Sequence, residues 1–132
     1  MKRPLLLLLL AAPFAFAAPV PKALKKKLPD RERILGEWQL LVSEHNAVAK
    51  NDTATVWTFT EGKMHSTSGN TNWIIKLDPD ASPKRIDITS YTGIYEFDGE
   101  KLKIAMHTGK SPPTELSSAN GAFYYEMVKV TK

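Results

Sequence analysis

The segment GIYEFDGEKLKIA, residues Gly93–Ala105, decides the fold of this chain. Apolar and polar residues alternate on both sides of the dipeptide Asp98-Gly99, with Tyr95 and Phe97 on one face of the first run. Alternation with a period of two is typical of strands that bury one face. Asp-Gly between two such runs is a strong sign of a tight hairpin turn. The segment therefore predicts two antiparallel strands in a fixed register.

The same alternation extends in both directions from this hairpin. Trp38 and Leu40 share one face of a run near the start, and Trp73 and Ile75 share one face near the middle. The predicted strands cover residues 37–45, 54–60, 63–68, 71–78, 84–89, 93–98, 101–107 and 121–131. Short connections favour an antiparallel meander, and about eight strands in this order close most simply into an up-and-down barrel without exposed edges. The fold class predicted is all-β.

Three local features complete the predicted architecture. A short helical turn precedes the first strand over Asp30–Leu35, with Asp30 as its N-cap and Gly36 ending it. Gly93 marks a bend or a close approach of two backbones. Residues 111–121 form the longest break in the pattern and predict an irregular loop before the last strand.

The first 17 residues have the layout of a secretory signal peptide. Lys2 and Arg3 precede an apolar run, and Ala15-Phe16-Ala17 is a small-x-small cleavage site. The run is too short for a membrane-spanning helix, which needs about 20 apolar residues. We therefore expect a signal peptide over residues 1–17, a Pro/Lys-rich leader over 18–29 and one barrel domain over 30–132. We expect the mature protein to be exported, periplasmic or secreted, with no membrane segment.

Charge and cysteine content exclude several classes of function. The chain has no cysteine, so disulfides, thiolate nucleophiles and thiolate metal sites are impossible. The formal net charge is +4, but from residue 30 onward 12 basic residues face 14 acidic ones, and 12 − 14 gives −2. A nucleic-acid-binding domain would carry a basic excess on its folded part. We therefore expect no nucleic-acid partner.

No catalytic or metal-binding motif is present in the sequence. His45, His65 and His107 fall on or near three different strands without the close spacing of metal ligands. Paired carboxylates occur at Asp78 with Asp80 and at Glu96 with Asp98. Such residues in and beside turns normally bond the backbone or face solvent. We expect a protein without enzymatic activity, catalytic residues, metal or cofactor.

Aromatic residues are the strongest candidates for a binding role. Seven of them belong to one-face sets on different strands: Trp57, Phe59, Trp73, Tyr95, Phe97, Phe123 and Tyr125. In a closed barrel these side chains point inward together or in adjacent layers. They either line a small apolar cavity or fill the interior, because an eight-stranded barrel is just wide enough to be packed by side chains. The predicted ligand-binding residues are Trp57, Phe59, Trp73, Tyr95 and Tyr125.

Two sets of motifs carry a resemblance to known proteins. Gly36-Glu37-Trp38 resembles the opening of lipocalin-type barrels, which implies a structural barrel-base motif in which Trp38 plugs the base. Three segments further along the chain occur together in this order: PKRIDIT at Pro83–Thr89, the segment Gly93–Ala105 and PPTELSS at Pro112–Ser118. The set resembles a family of small, exported, lipocalin-like domains that is abundant in planctomycete bacteria. The resemblance implies a fold and an exported location, but no activity and no site residues.

The chain departs from this resemblance at two positions. Lipocalins commonly stack a late arginine over the tryptophan at the barrel base, whereas the last arginine here is Arg85. The position over the tryptophan would have to be taken by Lys129, Arg31 or Arg33. Family members often carry a cysteine after the LKI segment, and Ala105 stands there in this chain. A role that depends on that thiol is excluded.

Two functions follow as hypotheses. The first is a binding protein that holds a small hydrophobic ligand in the barrel. The alternative is a protein-interaction module, such as an envelope protease inhibitor or assembly factor, whose leader enters a cleft of its protein partner.

Overall fold

The computed structural model describes residues 28–51 and 53–131. The predicted signal peptide and the leader as far as residue 27 lie outside this part of the chain. The described residues form one α-helical turn, α1, two short 3-10 helices at Ser68–Asn70 and Ala119–Gly121, and nine strands. Their bounds are α1 Asp30–Arg33, β1 Gly36–His45, β2 Val48–Asn51, β3 Val56–Thr60, β4 Lys63–Ser66, β5 Thr71–Asp78, β6 Arg85–Ile88, β7 Tyr91–Asp98, β8 Lys101–Thr108 and β9 Phe123–Lys129. No helix among these residues is long and apolar enough to span a membrane.

Eight of the strands close into a barrel. They pair antiparallel in the order β1-β3-β4-β5-β6-β7-β8-β9, and β9 pairs with β1 again from Trp38↔Lys129 to His45↔Phe123. The hairpin of β7 and β8 has the register expected from its Asp98-Gly99 turn, with Asp98 opposite Lys101. The prediction of an all-β, eight-stranded, antiparallel up-and-down barrel is confirmed.

A ninth strand, β2, was not predicted from the sequence. It pairs with residues 42–45 of β1, beyond residues 36–39 that pair with β3. Asn46 and Ala47, both with positive φ, turn the chain between β1 and β2. All four β2 residues are exposed, and a strand without a buried face leaves no period-two pattern in the sequence. The β1–β2 hairpin therefore extends the barrel wall at one end.

The end of the barrel next to α1 is filled by side chains. Phe59, Leu102, Ile104 and Met127 are each at most 1% exposed. Ile34, which follows α1, is equally buried and packs in the same core. The interior at this closed end is therefore a packed core, as one of the two interpretations of the aromatic pattern expected.

Trp38 and Lys129 close the barrel base together. The indole Nε1–H of Trp38 donates to the carbonyl oxygen of Ile34 at 2.7 Å. Lys129 Nζ lies 5.1 Å from the indole ring centre and donates to the carbonyl oxygens of Arg33 at 2.9 Å and Leu35 at 2.6 Å. Of the three candidates for the missing arginine, Lys129 occupies that place. It also satisfies carbonyl groups that the end of α1 leaves free.

Side chains of α1 fix the turn to the barrel wall. Asp30 was predicted as the N-cap, but this is wrong: Pro29 precedes the first helical residue and no side chain caps the turn. Asp30 Oδ2 instead accepts hydrogen bonds from the Tyr95 hydroxyl at 2.6 Å and from Lys84 Nζ at 2.9 Å. Arg33 lies 4.3 Å from the ring centre of Phe97. Asp30 therefore bonds to partners on the barrel wall that are distant in sequence. The residues next to Asp30 in the sequence do not reveal these partners.

Replacing Tyr95 with phenylalanine should lower the free energy of unfolding by about 1.5–3 kcal/mol at neutral pH, since a hydrogen bond to a charged group is lost. Burial by itself raises the pKa of Asp30, but the hydrogen bonds from Tyr95 and Lys84 outweigh it and lower that pKa. Because the folded-state pKa of Asp30 is lowered, its ionised carboxylate stabilises the folded protein at pH values above the unfolded-state pKa of about 3.9. This stabilisation is lost as the pH falls through the folded-state pKa.

Urea unfolding at one pH above the unfolded-state pKa of Asp30 and at one pH below its folded-state pKa measures this contribution to stability. The wild type should lose more stability on acidification than Tyr95→Phe, because the variant has less of this contribution to lose. An equal loss in both proteins would show that the hydroxyl does not stabilise the ionised carboxylate.

Candidate functional site

A cavity opens at the end of the barrel opposite α1. Its volume is about 310 Å³, and we call it the open-end cavity. The lining residues are Leu40, Ser43, Thr55, Trp57, Met64, Ser66, Ser68, Trp73, Ile88, Tyr91, Met106, Phe123 and Tyr125. None of them carries a formal charge. The barrel interior is thus divided along its axis into a packed half and an open half.

Five aromatic rings line the cavity. The ring centres of Trp57 and Tyr125 lie 4.8 Å apart, and those of Trp73 and Tyr91 lie 5.7 Å apart. Tyr91 also meets Phe123 edge-on at 5.9 Å. Aromatic pairs at these distances stabilise one another beyond their buried area. The pairs come from strands on different sides of the barrel, so the rings surround the cavity.

The indole of Trp73, a residue that lines the cavity, carries a hydrogen-bond donor without a partner. Its indole Nε1 is buried and has no hydrogen-bond partner among the described residues. The ring lies on β5, where the period-two burial pattern points residue 73 inward with Ile75 and Leu77. Buried donors in folded proteins nearly always have a partner, and an unmade hydrogen bond of this kind costs about 1–3 kcal/mol. An acceptor atom on a bound molecule would remove that cost.

The structure separates the five aromatic residues predicted for ligand binding. Trp57, Trp73 and Tyr125 line the open-end cavity. Phe59 lies in the packed half and is 1% exposed, and the Tyr95 hydroxyl is bound to Asp30 at the closed end. The buried core includes Trp57, Phe59 and Tyr95, and Trp73 and Tyr125 are partly buried and pack against it. Neither Phe59 nor Tyr95 lines this cavity.

Several lining residues were not singled out by the sequence analysis. Ser43 and Ser66 are small polar residues that leave room, and Met64 and Met106 are flexible side chains that adapt to irregular space. Period two assigns a residue to a face, but it does not show how far along the barrel axis that residue lies. The position of a residue along the barrel axis depends on the stagger between neighbouring strands. That stagger follows from the pairing registers, which the pattern of a single strand does not contain.

A second depression continues from the cavity over the β1–β2 hairpin. It has a volume of about 370 Å³ and shares Ser43, Phe123 and Tyr125 with the cavity. Its further lining residues are Glu44, His45, Val48 and Lys50. We call it the mouth groove. His45 stacks on Phe123 there, with ring centres 4.0 Å apart and planes inclined by 8°.

The three histidines have separate partners. His45 stacks on Phe123, His65 Nδ1 lies 2.9 Å from Asn72 Oδ1, and His107 Nδ1 lies 3.4 Å from the carbonyl oxygen of Ser111. In the described ranges, no group of three or more His, Asp or Glu side chains is arranged to hold a metal ion.

No protein-family model, curated protein or solved structure matches this chain. The resemblance to small exported lipocalin-like domains therefore stays a prediction.

Proposed function

We propose that this protein binds a small, largely apolar molecule in the open-end cavity of the barrel. The observation that carries the proposal is the buried, unpartnered Nε1 of Trp73 in an aromatic cavity of about 310 Å³. A barrel that served only as a rigid core would gain stability by filling this space and by pairing this donor.

The volume and the lining together define the class of ligand. An apolar cavity of about 150 Å³ accommodates benzene, so a space of about twice that volume suits a body of one or two rings or a short acyl chain. The part of the ligand inside the barrel should be uncharged, since no charged residue lines the cavity. It should also carry one hydrogen-bond acceptor that reaches Trp73.

The Trp73→Phe variant tests this proposal with two matched probes, acetylnaphthalene and ethylnaphthalene. They have similar size, but only the first carries a carbonyl acceptor. Titration calorimetry should show tighter binding of acetylnaphthalene to the wild type. The variant should lose about five-fold in affinity for acetylnaphthalene, the equivalent of one net hydrogen bond of ~1 kcal/mol. Affinity for ethylnaphthalene should change much less.

Trp38→Phe is the matched control, because the indole of Trp38 already donates to Ile34 at the closed end. It should leave both affinities unchanged while lowering the free energy of unfolding. Trp73→Phe should cost at least ~1 kcal/mol less stability than Trp38→Phe, because it removes a donor that has no partner. Failure of both probes to bind the wild type would contradict the proposal.

Export and the interaction role of the leader remain predictions. They concern the predicted signal peptide over residues 1–17 and the leader over 18–29, of which residues 1–27 lie outside the described ranges. Ligand binding in the barrel does not depend on either of them.

A further inference from the structure

We infer that the ligand carries an acidic group that lies in the mouth groove beside Lys50 and His45, while its apolar body fills the open-end cavity. This inference rests on the proposed function. It assigns the ligand to the organic acids with an apolar body and gives the β1–β2 hairpin a role in selecting it.

The strand register places Lys50 on the cavity side of the hairpin. Lys50 pairs with Ser43, and Val48 pairs with His45. Paired residues of antiparallel strands project to the same face, and Ser43 lines the open-end cavity. Lys50 and Val48 therefore extend the inner surface of the barrel beyond its mouth, and both line the groove.

The carboxylate that also borders the groove is engaged elsewhere. Glu44 lies between Ser43 and His45 on β1, so its side chain projects to the opposite face. Its Oε1 accepts a hydrogen bond from Ser118 Oγ at 3.1 Å, and Ser118 Oγ in turn accepts one from the Ala47 amide at 3.0 Å. Glu44 therefore borders the groove with its Oε1 already bonded to the loop before β9.

His45 contributes a second donor at the same place. Its ring is held against Phe123 by stacking, and either tautomer of the neutral imidazole offers one N–H group. An anion above the cavity would therefore meet the ammonium of Lys50 and an oriented N–H of His45. It would keep contact with water, because both residues are exposed. That avoids the large cost of moving a charge into the barrel.

Acetylnaphthylacetic acid and its methyl ester test the inference, because the two probes share one body and differ in charge. Calorimetry at low salt should show tighter binding of the acid to the wild type. Lys50→Gln should weaken binding of the acid about five-fold, the upper range for an exposed ion pair, and leave the ester unchanged. Added salt should reduce the preference of the wild type for the acid.

Lys63→Gln is the matched control, since Lys63 is an exposed lysine on β4 that lines neither depression. It should retain the preference for the acid. Equal binding of acid and ester by the wild type and Lys50→Gln would overturn the inference but leave the proposed function standing. Binding of neither probe to the wild type would overturn both.

Discussion

Replacing Trp38 with alanine should lower the free energy of unfolding by about 3–5 kcal/mol, as expected for truncation of a fully packed tryptophan. The side chain is 3% exposed and lies in the main core cluster. Its loss also leaves the Ile34 carbonyl without the indole donor and removes the ring beneath Lys129. Since Lys129 holds the carbonyls of Arg33 and Leu35, the attachment of α1 should weaken as well.

Urea unfolding followed by circular dichroism measures this effect. Trp73→Ala is the matched control, because Trp73 is only half-buried and borders an open cavity. Its truncation should cost clearly less than that of Trp38. If both truncations cost the same, the division of the interior into a packed half and an open half would be wrong.

Replacing Gly93 with alanine should lower the free energy of unfolding by about 3 kcal/mol, the upper part of the usual range for overpacking. A Cβ at this position would lie 2.6 Å from the Ala105 carbonyl oxygen and 3.0 Å from the Met106 Cβ. The first contact is with the backbone of β8, so a side-chain rotation cannot relieve it. Either β7 and β8 separate locally, or Ala105 and its neighbours shift.

Gly99→Ala distinguishes this steric clash from the general loss of a glycine. Gly99 has a φ of +63° in the β7–β8 turn, and a Cβ there meets nothing within 4 Å. Its replacement should cost roughly 1–2 kcal/mol through the left-handed backbone alone. Thermal unfolding of the two variants compares these costs, and a smaller loss for Gly93→Ala than for Gly99→Ala would contradict the close approach of β7 and β8.

The fold was predictable from the sequence because most strands bury one face. Alternation at Trp73, Ile75 and Leu77 and the Asp98-Gly99 turn both reflect local constraints of a half-buried sheet. Gly93 was also recognised, since a glycine inside such a strand indicates close backbone approach. The exposed β2 strand was missed because nothing in it is buried.

The position of the site was less predictable than the fold. Trp57 and Phe59 alternate on one face of β3, yet only Trp57 reaches the cavity. Tyr95 has the same inward pattern as Tyr91, but its hydroxyl binds Asp30, which is 65 residues away in sequence. Contacts of such range depend on how all eight barrel strands are staggered, and a single sequence pattern does not contain that information.

The indole N–H resonances of the three tryptophans offer the sharpest test of a ligand site at the open end. A two-dimensional NMR titration with acetylnaphthalene follows each of them separately. The Trp73 resonance should shift strongly as its buried Nε1–H gains an acceptor, and the Trp38 resonance, already bonded to Ile34, should stay in place. An unchanged Trp73 resonance at saturating probe, or a shift confined to Trp38, would contradict binding in the open-end cavity.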